Sequence, residues 1–422
     1  MENNSILEEK AQKIANVFAS ARERVPQLHR LPSLDPTNEH KGILAGWFEG
    51  ASLSDGQKTK VFGYYGLPRE ASPENPVPGI VLVHGGGGHA FLNWVKMWND
   101  RGYAAIALDF TGFFPTCPNA GIKGEPAENW CRELPLTIAE DGYTVAPTND
   151  EMTSSDGPVE DMWMYHAVTQ AILSSNILRA DACVRPDQIG ISGVSWGGVI
   201  TSITIGYDNR FSFAVPIYGS GYLDESMAWM GEKFSGAATK RLWLAQDRFE
   251  NVHFPVLWQC WNDDTCFSIN SNGKSYLHAL PNNPDSRLSV VHEMGHSHRR
   301  AWVRKEPLIF ADSVIKGTQK IPQIHVKVDG RHVQAHAEGC SVDAIVSFKL
   351  YYVTEPMRYE RYNKKGIGVD TYLVEDWQIA EIPCTDGIAK GTIPADAAAY
   401  YVELDTMIGE SHCIITSPYT LV

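Results

Sequence analysis

Ser195 stands in the run Gly193-Val194-Ser195-Trp196-Gly197-Gly198, a G-x-S-x-G pattern. An apolar strand-like stretch, 188–192, leads directly into it, and an apolar helix-like stretch starts at Trp196. A serine on a sharp strand-to-helix turn needs small residues two positions to either side, because the tight backbone leaves no space for Cβ groups. Such a turn exposes the hydroxyl and aims it at a helix N-terminus, where the dipole favours developing negative charge. The chemistry this suits is nucleophilic attack on an acyl carbonyl. The plain rival, an ordinary glycine-rich turn between strand and helix, is disfavoured by that placement.

His84-Gly85-Gly86-Gly87-Gly88 ends another apolar stretch, Gly79–Val83. An acyl-transfer enzyme must hold the oxyanion with preorganised N–H donors, each worth roughly 3 kcal/mol of barrier. Glycines let a backbone turn its N–H groups inward at close range. Gly86 and Gly87 are the expected donors of one arm, and the amide of Trp196 the other. The run lacks the Lys-Ser/Thr of a P-loop and the spacing of a dinucleotide-binding loop, which argues against phosphate binding. His84 reads as a brace for this loop and not as a base.

A serine hydroxyl is a poor nucleophile until a histidine takes its proton, and the histidine needs a carboxylate to fix its tautomer. Downstream of Ser195, in that chain order, the strand-like Pro255–Trp261 runs into Asn262-Asp263-Asp264. Leu288–Val291 runs into His292-Glu293-Met294-Gly295-His296-Ser297-His298. Asp264 is the preferred acid, three residues past the strand, with Asp263 the runner-up. His296, flanked by Gly and Ser, is the preferred base over His298 and His292. The same segment matches HExxH, the zinc-protease pattern, which requires both histidines one turn apart on a helix. Here a strand precedes it and a glycine interrupts it, so zinc hydrolysis is the minor reading and no metal or organic cofactor is expected.

The elements that must position these residues follow from periodicity. Residues 6–25 carry a helical stripe of Ile6, Leu7, Ala11, Ile14, Ala15 and Phe18. Strand and helix patterns then alternate from about residue 58, which predicts a mostly parallel sheet with helices on both faces. The last hundred residues hold short period-two strands separated by Gly, Pro and Asp, which predicts a small antiparallel β-sandwich. The expected organisation is an N-terminal helix and linker over 1–44, an α/β catalytic domain over 45–318 and a β-sandwich domain over 319–422. The aperiodic stretch 112–160 is expected to cap the site. Tryptophans 94, 98, 130, 163, 229, 261 and 302 fall in segments near the expected site. Aromatic walls there suit a sugar or aryl group, and core packing is their commoner role.

Among 422 residues, 50 acidic and 36 basic side chains leave a formal charge of −14, which disfavours nucleic acid and anionic membrane surfaces as partners. The longest apolar runs are strand-sized, short of the ~20 residues that span a bilayer. The N-terminus lacks the pattern of a secretory signal. Eight scattered cysteines, without CxxC pairs, read as reduced thiols of a cytoplasmic protein, and a Cys117–Cys131 bridge is not expected.

Taken in order, LVHGGGGHAF, NDRGYAAIALD, DMWMYHAV, GISGVSWGG, FAVPIYGSG, VLWQCWNDD and EMGHSH resemble the α/β-hydrolase superfamily. The likeness is to acetyl-xylan esterases, dienelactone hydrolases and prolyl-oligopeptidase-type acyl hydrolases, and it covers roughly residues 45–316. It implies a Ser-Asp-His triad on Ser195, Asp264 and His296. There are departures. The Arg-Gly-Gln motif of the cephalosporin-deacetylase group is absent, with TGFF in its place. His-Ser-His replaces the relatives' His-Gly-His, and Trp261 stands where many carry Gly. These bear on the substrate and not on the chemistry. The expectation is a serine hydrolase acting on a small-molecule carboxylic ester, carbohydrate-linked esters included. A peptidase releasing short or acylated peptides is the same-chemistry alternative, and a catalytically silent binding protein is the non-enzymatic one. A homo-oligomer is compatible with all of these.

Overall fold

Short, β-branched runs buried on both faces pair in parallel, as they must when helices cover both sides of a sheet. The protein, seen in a computed structural model, is described over residues 2–122, 127–148, 155–355 and 377–422. It forms two units, Met1–Ala214 with Ser235–Asn251, and Val215–Phe234 with Val252–Val422.

In the first unit α1 (Glu2–Glu23) is followed by β1 (His29–Arg30), β2 (Leu44–Ser52), β3 (Lys58–Gly66), β4 (Val77–Val83), α2 (Leu92–Asn99) and β5 (Ala104–Leu108). Then come β6 (Phe114–Pro115), β7 (Trp130–Cys131), β8 (Tyr143–Val145), α3 (Trp163–Ala180), β9 (Val184–Val194) and α4 (Trp196–Tyr207). The strand order is β1-β2-β3-β5-β4-β9. Pairing is antiparallel from β1 to β5 and parallel among β5, β4 and β9. Val83 and Gly193 are register partners, so the strand ending in the glycine loop lies beside the strand delivering Ser195.

The α1 stripe is buried at Ala11, Ile14 and Phe18, whereas Ile6 is exposed. Phe18 packs edge-on against Tyr207 at 4.7 Å. β2 is not among the strands that periodicity predicts, because Gly46, Glu49 and Gly50 break its apolar alternation. Gly50 is there for close approach: a Cβ would lie 2.5 Å from Thr59 Oγ1.

Of the stretch 112–160, residues 123–126 and 149–154 lie outside the described residues. Its described parts pack on β3. β8 pairs with β3 in parallel, Tyr64 donates to Ala120 O, and the buried Lys60 ammonium donates to Ile138 O beneath the faces of Trp47 and Tyr143.

The last three residues of β10 (Phe213–Ile217) open the second unit, where Ile217 pairs in parallel with Gln259 of β11 (Leu257–Trp261), and β11 pairs in parallel with β12 (Arg287–Val291). Trp261 and Val291 are register partners, which sets the loops after β11 and β12 side by side. The helix Ile269–Ala279 lies where its pattern predicts. The helix Glu306–Lys316 was not predicted, and Pro307 explains why. A proline reads as a breaker, yet its missing N–H costs nothing in a helix's first turn.

The remaining strands are β13 (Gln323–Asp329), β14 (His332–Glu338), β15 (Ile345–Val353), β16 (Gln378–Glu381), β17 (Cys384–Thr385), β18 (Ile388–Thr392), β19 (Ala399–Ile408), β20 (Ser411–Thr416) and β21 (Thr420–Leu421). They form two antiparallel sheets, β13-β14-β18-β17 and β16-β15-β19-β20 with β21 on β19. Val290 donates to Thr416 Oγ1 and Ile414 to the buried Glu306 carboxylate, so this β-rich region is bonded to β12 and the helix after it. All eight cysteines, Cys117 and Cys131 among them, carry free thiols. No helix among the described residues is long and apolar enough to cross a membrane.

Candidate active site

Ser195 sits in the first unit between β9 and α4 with φ 61° and ψ −123°. A non-glycine residue held there carries strain of order 1–3 kcal/mol. Its carbonyl accepts from the amides of Gly198 and Val199, which starts the helix. The two motif glycines are required sterically. A Cβ on Gly193 would lie 2.0 Å from Gly197 O, and one on Gly197 would lie 2.1 Å from Val83 O and 2.5 Å from His84 O. The first turn of α4 therefore rests directly on the end of β4. Its leading amides, Trp196 and Gly197, have no intrahelical acceptors and present the positive end of the helix. Trp196 is buried, with its ring edge-on to Trp163.

After β4, the Gly88 amide donates to Gly85 O at 2.9 Å, a turn that leaves Gly86 and Gly87 at its corner. Gly87 is exposed, with nothing within 4 Å of a would-be Cβ. His84 has both ring nitrogens in use: Nδ1 bonds Gly85 O at 2.7 Å and Nε2 accepts from the Phe110 amide at 2.9 Å. Burial pushes its basicity down, as suits a neutral brace.

In the second unit His296 Nδ1 meets Asp264 Oδ2 at 2.7 Å. Asp264 is fully buried, and its Oδ1 accepts from the amides of Cys266 at 2.8 Å and Phe267 at 2.9 Å. The carboxylate thus shapes its own loop with one oxygen and orients the imidazole with the other. The runner-up Asp263 instead accepts from Trp377 Nε1 at 2.9 Å, a bond to the β-rich region. His298 opens the short helix His298–Trp302 with its ring near Trp302, and His292 Nδ1 lies 3.1 Å from Asn262 Nδ2. His292 and His296 do not share a helix. The segment between them is a turn with Glu293 and Gly295 at positive φ, so the backbone that HExxH zinc binding needs is not formed.

Two side chains that the motifs did not single out fix the His296 ring. Tyr218, just past β10, stacks on it at 4.4 Å and 24°, and Phe267 lies at 5.9 Å and 13°. Tyr218 is buried at φ 68°, donates through its hydroxyl to Gly295 O at 2.7 Å, and accepts at its carbonyl from Asn272. Its position at the end of a strand, the criterion that located Asp264 and His296, was the available signal.

No family model and no curated protein matches the chain. Solved structures of similar shape include an acetyl xylan esterase from Paenibacillus sp. R4, 17% identical, over 72% of this chain and 94% of that one, with TM-score 0.49. Acetyl xylan esterase 1 from Thermoanaerobacterium sp. JW/SL YS485 is 12% identical over 73% and 98%, with TM-score 0.47. An acylaminoacyl peptidase of Pyrococcus horikoshii is 15% identical over 65% of this chain and 42% of its own, with TM-score 0.45. At such likeness, what those enzymes act on remains a property of theirs. Parallel strands flanked by helices, a serine on a strand-turn-helix elbow and antiparallel sheets after residue 322 make this an α/β-hydrolase fold with a C-terminal β region.

Proposed function

We propose that this protein is a serine hydrolase that cleaves a carboxylic ester of a small acyl group, acetylated sugars included, through an acyl-enzyme on Ser195. The strained backbone of Ser195 between β9 and α4 carries the reading, because it holds a hydroxyl at a helix N-terminus at a cost that packing alone does not require.

Ser195 Oγ attacks the carbonyl carbon while His296 Nε2 takes its proton. Asp264 keeps the other ring proton on Nδ1, so Nε2 is the basic nitrogen, and it stabilises the imidazolium that forms. The amides of Trp196, Gly86 and Gly87 receive the oxyanion. His296 then protonates the departing alcohol, and water repeats the sequence on the acyl-enzyme. Neither a metal nor an organic cofactor enters these steps. The net charge of −14 supports a small-molecule substrate and not a nucleic acid or a membrane.

A fluorophosphonate probe should label the wild type, and Ser195→Ala should lose the label and at least about 10⁴-fold in kcat while keeping its fold. Label retained in Ser195→Ala, or inhibition by chelators alone, would refute the reading. Against p-nitrophenyl esters, acetylated sugars and aminoacyl amides, the esters should turn over fastest. A clear preference for the amides would replace esterase by peptidase.

A further inference from the structure

In the first unit, the ends of the paired strands β4 and β5 carry a histidine–carboxylate pair that the reaction above leaves unused. His89 Nδ1 lies 3.1 Å from Asp109 Oδ2. Asp109 is 1% exposed, and its Oδ1 accepts from Thr111 N at 2.9 Å, Thr111 Oγ1 at 3.0 Å and Phe113 N at 2.9 Å. Burial pushes this carboxyl up, and the bonds from His89 and Phe113, with the favourable fields of the His89 and His84 rings, more than offset that and hold it below the usual carboxylate range. An ionised carboxylate can only accept, so the proton of a neutral His89 sits on Nδ1 and Nε2 is left with a lone pair. The ring is clamped by Trp130, stacked at 4.5 Å and 9°, and by the edge of Phe113 at 5.1 Å.

His84 supplies the internal contrast. Five residues earlier, it is 4% exposed and both its nitrogens are bonded within the protein. The His89 side chain keeps 25% of its surface. Among the described residues no group bonds its Nε2, and that atom is not among the buried unpaired ones. His89 is thus aligned through one nitrogen while the edge carrying the other is left open. It also stands two residues past Gly87, within about 7 Å of chain from the proposed oxyanion donors.

We propose that His89 is a specificity-determining residue whose Nε2 accepts a hydrogen bond from a hydroxyl adjacent to the ester, so that the substrates are partial esters of polyols. This rests on Ser195 being the nucleophile. The probe is a matched pair, ethylene glycol monoacetate and 2-methoxyethyl acetate, which differ in whether that oxygen carries a proton. Near pH 8.5 the wild type should favour the glycol ester by about tenfold in kcat/KM.

His89→Leu should bring the ratio to about one. Asp109→Asn should do the same by another route. Its amide donates to Nδ1, moves the ring proton to Nε2, and raises the methyl ether relative to the glycol ester, a gain that loosened structure would not produce. A wild-type ratio near one overturns the proposal, and so does a ratio preserved in His89→Leu. Should His89→Leu fail to fold, an unchanged ratio in folded Asp109→Asn overturns it. Fluorophosphonate labelling separates the two readings. A labelled wild type with an unmoved ratio removes the role of His89 and leaves Ser195 in place, whereas an unlabelled wild type removes both.

Discussion

Each unit builds a histidine–aspartate pair on one local plan. Asp264 in the second unit and Asp109 in the first are both buried just beyond a strand, and each gives one oxygen to amides of its own loop and the other to an imidazole Nδ1. The settings of the imidazoles differ. His296 is bonded at 2.7 Å, stacked by Tyr218 and Phe267, and keeps 12% of its side-chain surface. His89 is bonded at 3.1 Å, stacked by Trp130, and keeps 25%. Equal hydrogen-bond logic therefore does not define equal roles. A ring that must take and return a proton in place gains from confinement, because misplacement by about 1 Å costs on the order of 100-fold. A ring that reads a substrate group needs an open edge.

The sharpest test of this contrast is kinetic. On one simple ester, His296→Ala and Asp264→Asn should each lower kcat by about 10⁴-fold, whereas His89→Ala should stay within about 100-fold. Comparable losses at the two histidines would erase the distinction.

A pH experiment probes what separates these well-bonded carboxylates from a buried one with few donors. Glu403 on β19 is 5% exposed and accepts from Tyr351 at 3.4 Å. Burial raises its carboxyl to about 7, aided by Asp405 and opposed by Lys349, Tyr351 and Arg304. Between 4.5 and about 7 the folded chain holds a proton that the unfolded chain has lost. The contribution is full below 4.5 and disappears as pH climbs through 7, on the order of 3 kcal/mol in all. Urea unfolding across that window should show stability falling as pH rises. Glu403→Gln should flatten the slope, and an unaltered slope would assign the effect elsewhere.

The smallest effect concerns the clamp on His296. Tyr218→Phe keeps the stack and loses the bond to Gly295 O, which should cost about 1 kcal/mol in stability and a few-fold in kcat. Thermal unfolding with steady-state kinetics measures both, and a loss as large as that of His296→Ala would make Tyr218 a participant in the chemistry.

Much of this was legible in the residues, and the pattern of misses is physical. The elbow could be read because the need for glycine at 193 and 197 is a local backbone constraint that leaves its mark at fixed spacing. Helices and buried strands from Val77 to Val291 could be read because burial imposes a period. β2 was hidden by glycines kept for close approach, and the helix Glu306–Lys316 by a proline in its permissive first turn. The pair His89–Asp109 and the stack of Tyr218 on His296 join residues of different loops, and no spacing records such a meeting.

The amino-acid order thus determined by itself that a serine would stand on a strained turn, with a glycine loop before it and acids and histidines after it. Those features arise from backbone sterics and chain order, which act over a few residues. Only the tertiary structure decided that Asp264 meets His296 while Asp263 turns to Trp377, and that His84 is sealed while His89 is left open. Neighbouring residues of the same type compete for those roles, and their partners come from strands distant in sequence.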